Sequence, residues 1–187
     1  MINEKIICAG FGGQGIMLIG QLLAYAANEE GLNTLWFPSY GPETRGGTAN
    51  CSISISTEPV NSPVISQADA IIVMNKPSLE KFESKVKPKG TIFINSSLIE
   101  DKITRLDIIA VYIPANDLAI ALGNIKIANM IMLGAYLEKT KLFSDELILK
   151  LLKKSFGESK AHLIDINKLA LIKGRQFMNK GQIYISD

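Results

Sequence analysis

The run Lys5-Ile6-Ile7-Cys8-Ala9, followed at once by Gly10-Phe11-Gly12-Gly13-Gln14-Gly15, decides how the rest of the chain is read. A short apolar stretch that stops at a glycine cluster has the pattern of a buried parallel strand. Beyond the glycines, Ile16, Ile19, Leu23 and Ala27 fall near helical spacing, with Met17, Leu18 and Leu22 on the other faces, and Gly31 marks the stop. Strand, glycine loop and helix in that order open an α/β unit. Outward from it, 33–37 reads as a second strand ended by Pro38. Residues 48–56 alternate Ala49, Cys51, Ile53 and Ile55 against Asn50, Ser52, Ser54 and Ser56, a strand with one buried and one polar face. Apolar runs at 70–74 and 91–94 flank a helical stretch at 76–82 with Pro77 near its first turn, and a further run at 108–113 ends at Pro114.

Strands alternating with helices predict an α/β fold, a three-layer α/β/α sandwich with a mostly parallel, Rossmann-like sheet. The C-terminal third carries three helical patterns: 116–138, broken near Gly123; a helix capped by Ser144 and closed by Gly157; and 166–178, with a last strand near 182–185. No linker interrupts the chain, so residues 1–187 read as a single domain.

Composition narrows the function classes. Twenty Lys and Arg against eighteen Asp and Glu give a net charge of +2, too balanced for a nucleic-acid surface. With 47% hydrophobic and 20% charged residues the chain is neither disordered nor collagen-like. No apolar run approaches the roughly 18 residues of a membrane span, and the N-terminus lacks the pattern of a secretory signal, so a cytoplasmic chain is expected. The two cysteines, Cys8 and Cys51, make neither a C-x-x-C pair nor the four thiolates of an iron–sulfur cluster.

The glycine loop admits more than one reading. Amides at a helix start can cradle a phosphate. A dinucleotide site also needs an acid at the end of the second strand, and Trp36-Phe37-Pro38-Ser39-Tyr40 offers none before Glu43. Alternatively the glycines only permit a tight turn with close packing of helix on strand. Packing explains Gln14 least, because its amide is able to bond a ligand or a partner backbone. The second loop, Ser39-Tyr40-Gly41-Pro42-Glu43-Thr44-Arg45-Gly46-Gly47-Thr48-Ala49-Asn50, is denser in polar and glycine residues than a plain connection requires. It reads as an anion or partner site, or as a surface loop whose exposed Glu43–Arg45 pair contributes at most about 1 kcal/mol.

Together the two loops closely resemble the gamma subunit of 2-oxoacid:ferredoxin oxidoreductases. The Tyr-Gly-Pro-Glu-x-Arg-Gly-Gly stretch is the most specific part, and the 2-oxoglutarate type is the nearest match, with the branched-chain 2-oxoacid type close behind. Indolepyruvate oxidoreductase subunits share the glycine loop but usually carry a different run before Arg-Gly-Gly. The resemblance implies a multi-subunit enzyme that decarboxylates a 2-oxoacid, passes the acyl group to coenzyme A (CoA) and delivers two electrons to ferredoxin. It further implies that thiamine diphosphate and Mg sit in alpha and beta subunits and the iron–sulfur clusters in the beta or a small ferredoxin-like delta subunit. This chain would then hold no cofactor by itself, contribute no catalytic residue or metal ligand, and touch neither nucleic acid nor membrane.

The candidate cofactor-binding or subunit-interface residues are Gly10, Gly12, Gly13, Gln14, Gly15, Tyr40, Gly41, Glu43, Arg45, Gly46, Gly47 and Asn50. Arg45 either grips a carboxylate or phosphate, such as a CoA phosphate, or pairs with Glu43 to shape a docking surface. The competing classes are a free-standing Rossmann-type oxidoreductase and a non-catalytic nucleotide-binding or scaffolding module. The sole histidine, His162, has no metal-sharing neighbour and is expected at a surface or interface. Cys8 and Cys51 are expected as small buried hydrophobes, Met130, Met132 and Leu133 as packing, and Lys150, Lys153 and Lys154 as a solvated helix end.

Overall fold

The computed structural model describes residues 1–41, 48–179 and 183–185. Its elements run β1 (Asn3–Phe11), α1 (Ile16–Glu29), β2 (Asn33–Tyr40), β3 (Thr48–Ser56), β4 (Ala68–Val73), α2 (Lys76–Phe82), β5 (Val86–Asn95), β6 (Ile109–Ile113), α3 (Ala115–Ala121), α4 (Ala128–Thr140), α5 (Asp145–Phe156), α6 (Ile164–Asn179) and β7 (Ile183–Ile185). The strands form one sheet in the order β2-β3-β1-β4-β5-β6-β7. β1, β4, β5 and β6 pair in parallel, whereas β3 is antiparallel to both β1 and β2, and β7 is antiparallel to β6. The sheet is therefore mostly parallel, with β3 and β7 reversed.

The reversal of β3 follows from chain length. Parallel neighbours need a crossover of a dozen or more residues, and 41–47 is too short for one, so β2 and β3 close as a hairpin. β2 also continues through Pro38 to Tyr40, beyond the stop expected at that proline. Proline lacks an N–H, and β2 is the edge strand, where one unpaired position is tolerated.

Helix ends follow their local chemistry. Gly31, at φ 73°, stops α1. Asn75 caps α2 by accepting the Ser78 N–H at 2.9 Å, and Ser144 caps α5 by accepting the Leu147 N–H at 3.2 Å. The break expected near Gly123 separates α3 from α4, with that glycine at φ 90°.

The layers are unequal. α1 and α3 to α6 cover one face over Ile6, Cys8, Ile53, Ile72, Phe93 and Val111. The other face carries α2 and the loop residues Ile65, Ile99 and Ile103 over Ile7, Ile71, Ile92 and Tyr112. Backbones of α4 and α6 meet directly, since a side chain on Gly174 would collide with the Ile131 carbonyl and one on Gly134 with that of Leu171. The alternation in β3 is real, but its polar face is not fully open: Ser54 and Ser56 are buried, and the Ser56 hydroxyl accepts the Glu58 N–H at 2.9 Å.

Candidate functional site

β1 and β2 run the same way, so the glycine loop and the second loop leave the sheet at one end. In register, Ala49 stands between Tyr40 of β2 and Gly10 of β1. The Gly41 N–H donates to the Thr48 carbonyl at 2.8 Å and closes the neck of the second loop. Pro42, Glu43, Thr44, Arg45, Gly46 and Gly47 lie outside the described residues. Phe11, Gly12, Gly13, Gly15, Ile16, Met17, Tyr40 and Ala49 line a hollow of about 250 Å³ at this end of the sheet. Tyr40 is 68% exposed at its rim. Asn50 faces the other way: its register partners are Ala9 and Ser39, on the face opposite α1. The sheet thus separates Asn50 from the hollow that holds Tyr40.

The glycines divide by role. Gly13 and Gly15 have φ of 95° and 75°, conformations that side-chain-bearing residues rarely adopt. Gly15 is also pressed against Asn129, whose Nδ2 donates to the Gly15 carbonyl at 3.3 Å. Gly10 makes room for Gln14, because a Cβ there would stand 2.7 Å from Gln14 Oε1 and 3.0 Å from Met74 Cβ.

Gln14 is spent within the chain. Its Oε1 accepts the Phe11 N–H at 2.7 Å and is reached by Asn75 Nδ2 at 3.5 Å, while its Nε2 donates to the Met74 carbonyl at 3.2 Å. The amide therefore ties the loop after β1 to the end of β4. This is where the topology switches, since α1 leaves β1 on one face and α2 leaves β4 on the other. Doubly wound folds take dinucleotides in that crevice. Here the Gln14 carboxamide bridges its two sides.

Beside the crevice, Gly13, Gln14, Met74, Asn116, Ile125, Lys126, Ala128 and Asn129 line a second hollow of about 170 Å³. The sequence reading missed Asn75, Asn116, Lys126 and Asn129. The readable hints were Asn75 before Lys76-Pro77, a helix-capping position, and Asn129 as a polar residue entering an apolar helix. Lys126 is the one charged side chain among the described residues lining the two hollows. Those residues supply no carboxylate, histidine or thiol, and among the described residues no group of three or more His, Cys, Asp or Glu is placed to hold a metal. His162 is exposed in a 3₁₀ turn, Glu158–Leu163, away from both hollows. A further cleft of about 420 Å³ between α1 and α5 is lined by Tyr25, Asn28, Glu29, Leu151, Lys154 and Ser155. Glu29 there is paired with Lys150 at 2.9 Å, an exposed bridge of small energetic weight. Among the described residues no helix is long and apolar enough to cross a membrane.

Residues 5–177 match the family model of pyruvate ferredoxin/flavodoxin oxidoreductase. The ketoisovalerate oxidoreductase subunit VorA of Methanothermobacter thermautotrophicus is 35% identical over 92% of this chain, which spans about 36% of VorA's length. The 2-oxoglutarate synthase subunit KorC of Methanocaldococcus jannaschii is 32% identical over 89% of this chain and 92% of its own. The crystal structure of a keto/oxoacid ferredoxin oxidoreductase gamma subunit from Geobacter sulfurreducens superposes with a TM-score of 0.80, covering 95% of this chain and 99% of that one. At 24% identity that likeness speaks for the fold. With the family model spanning nearly all of the described fold, and two relatives above 30% identity aligned over 92% and 89% of the chain, the chain belongs to the pyruvate ferredoxin/flavodoxin oxidoreductase family.

Proposed function

We propose that this chain is the gamma subunit of a multi-subunit 2-oxoacid:ferredoxin oxidoreductase that converts a 2-oxoacid and CoA to acyl-CoA and passes the electrons to ferredoxin. The observation that carries the reading is the end-to-end match with KorC, in which nearly the whole of each chain is aligned. It also supports 2-oxoglutarate as the substrate. A second reading, a branched-chain 2-oxoacid, is favoured by the 35% identity with VorA, where the same unit is about a third of a longer chain.

In this account residues 1–187 form one domain that works in the cytoplasm beside alpha and beta subunits, with or without a small ferredoxin-like delta subunit. Thiamine diphosphate with Mg and the iron–sulfur clusters belong to those partners, and the thiamine supplies the carbanion chemistry. This chain binds and orients. Gly12, Gly13, Tyr40 and Gly41 present the docking rim, Gln14 and Gly10 keep the loop rigid, and the role of meeting a partner or a CoA phosphate falls to Arg45 with Glu43, Gly46 and Gly47, which lie outside the described residues.

The test is to tag the chain in its native cell, isolate what accompanies it and assay CoA-dependent viologen reduction with a panel of 2-oxoacids. Co-purification of thiamine- and cluster-bearing subunits with highest turnover on 2-oxoglutarate supports the proposal. Highest turnover on a branched-chain 2-oxoacid selects the second reading, and a solitary chain without oxoacid activity overturns both.

A further inference from the structure

Cys8 and Cys51 face each other directly across the antiparallel β1–β3 pair, on the face that α1 covers. Both are free thiols and both are fully buried. Burial as small hydrophobes accounts for each one, and the register adds that the two sulfurs share one position across the pair. The pair is of the mutually hydrogen-bonded kind. The Thr57 N–H donates to the Ile2 carbonyl at 3.1 Å, and Cys8 lies an even number of residues further along the ladder. Such pairs hold their Cα atoms about 5.5 Å apart, within the range of about 4.4–6.8 Å that a disulfide accepts. Their Cβ atoms stand near the far end of the cross-strand spacing of about 4.5–5.5 Å, against about 3.8 Å in a relaxed disulfide. A bridge here can close only by twisting the two strands together, which makes it easily reduced rather than structural.

The surroundings favour Cys51 as the reacting sulfur. Its Sγ donates to the Ile16 carbonyl at 3.7 Å, in the first turn of α1. A Cβ on Gly20 would stand 2.6 Å from both Cys51 Sγ and Trp36 Nε1, so the thiol and the indole N–H converge on one glycine. Trp36 Nε1 is buried and has no acceptor in the resting fold. The Cys8 thiol, hydrogen-bonded to Cys51, is itself pushed up, while that same contact holds the Cys51 thiol below its ordinary range against the opposing effect of burial. Ile16 and Ala49 form part of the wall of the glycine hollow, and Cys51 lies two residues behind Ala49 along β3, on the same face.

We propose that Cys8 and Cys51 are a reversible oxidation site, converted by a peroxide-class oxidant to an intrachain disulfide that loosens the first turn of α1 behind the glycine hollow. The Cys51 thiolate attacks the peroxide O–O bond, giving a sulfenic acid and hydroxide. The Cys8 sulfur then attacks the sulfenic sulfur, the S–OH bond breaks, and the S–S bond forms. The hydroxide takes the proton released from Cys51, and the leaving hydroxyl takes the proton of Cys8. Each bridge therefore consumes one peroxide, removes two electrons from the thiols and yields two waters. Sulfur withdrawn from the Ile16 carbonyl releases a contact that fixes α1 to β3.

The experiment treats the full chain with hydrogen peroxide and measures free thiols after denaturation, the peptide map and the emission of Trp36, the sequence's single tryptophan. The expected result is a fall from two thiols to none, a linked Cys8–Cys51 peptide lighter by about 2 Da than its two parts, and quenched Trp36 emission, all reversed by dithiothreitol. In Cys8→Ala the reaction stops at a sulfenic acid on Cys51 that dimedone traps. Two thiols that survive peroxide for as long as the protein stays folded would overturn the proposal. So would loss of the thiols as sulfinic acid or as links between chains, with no Cys8–Cys51 peptide.

Discussion

Replacing Gln14 with Ala separates the two roles open to that residue. If its amide ties the loop after β1 to the end of β4, the substitution removes two well-formed hydrogen bonds, at 2.7 and 3.2 Å, and a third at the 3.5 Å limit. Each hydrogen bond contributes about 0.5–1.5 kcal/mol net. The site is half-buried, so water recovers part of the loss, and a destabilisation of about 2 kcal/mol is expected. For a domain of this size that lowers Tm by about 4–8 °C, at about 2–4 °C per kcal/mol. Urea unfolding should shift its midpoint with an unchanged slope. Amide exchange should accelerate first at Phe11, whose N–H loses its acceptor. Gly10→Ala should resemble it, because the added Cβ displaces the same carboxamide. An unchanged Tm and protected Phe11 amide in Gln14→Ala would refute the reasoning and return Gln14 to a ligand or partner.

Other predictions follow from individual contacts. Gly174→Ala drives a Cβ into the Ile131 carbonyl, backbone against backbone, and should cost about 3 kcal/mol by chemical denaturation. Gly15→Ala combines a strained φ with a collision against Asn129, and circular dichroism with exchange at 16–19 should report a frayed α1 start. Tyr40→Ala removes a largely exposed ring, so Tm should hold while assembly with partner subunits weakens at least several-fold by sedimentation. Burial raises the Glu4 carboxyl, with the Tyr136 hydroxyl and Lys87 acting in the opposite direction. A carboxyl raised in the fold contributes stability below its unfolded pKa and loses it as pH rises through the folded value. Glu4→Gln should therefore match the parent in acid and become the more stable of the two toward neutral pH, as read by Tm across pH 3–7.

An unbroken apolar run made β1 legible, because both of its faces are buried, and helical periodicity with end signals made α1 and the capped α5 legible. The break at Gly123 was legible for the same local reason. Pro38 misled because a proline ends a strand only where its missing N–H is needed, and the edge position of β2 is a property of the whole sheet. The hairpin was latent in the shortness of 41–47 but is not stated by any single residue. At the site, the meeting of Tyr40 with the glycine loop followed from strand direction. The engagement of Gln14 did not, since its partner Met74 lies 60 residues away. Asn50 belongs to the polar set of β3, so its separation from Ala49 was visible in the alternation, but which set faces α1 needed the register with Cys8 and Ala9.

The most direct test of the central claim is a reconstitution. Partner subunits stripped of this chain are assayed for 2-oxoglutarate- and CoA-dependent ferredoxin reduction before and after the purified chain is added back. The account predicts little activity without the chain, recovery at stoichiometric addition, and none from the chain by itself. Full activity of the stripped subunits, or oxoacid turnover by the isolated chain, would contradict it.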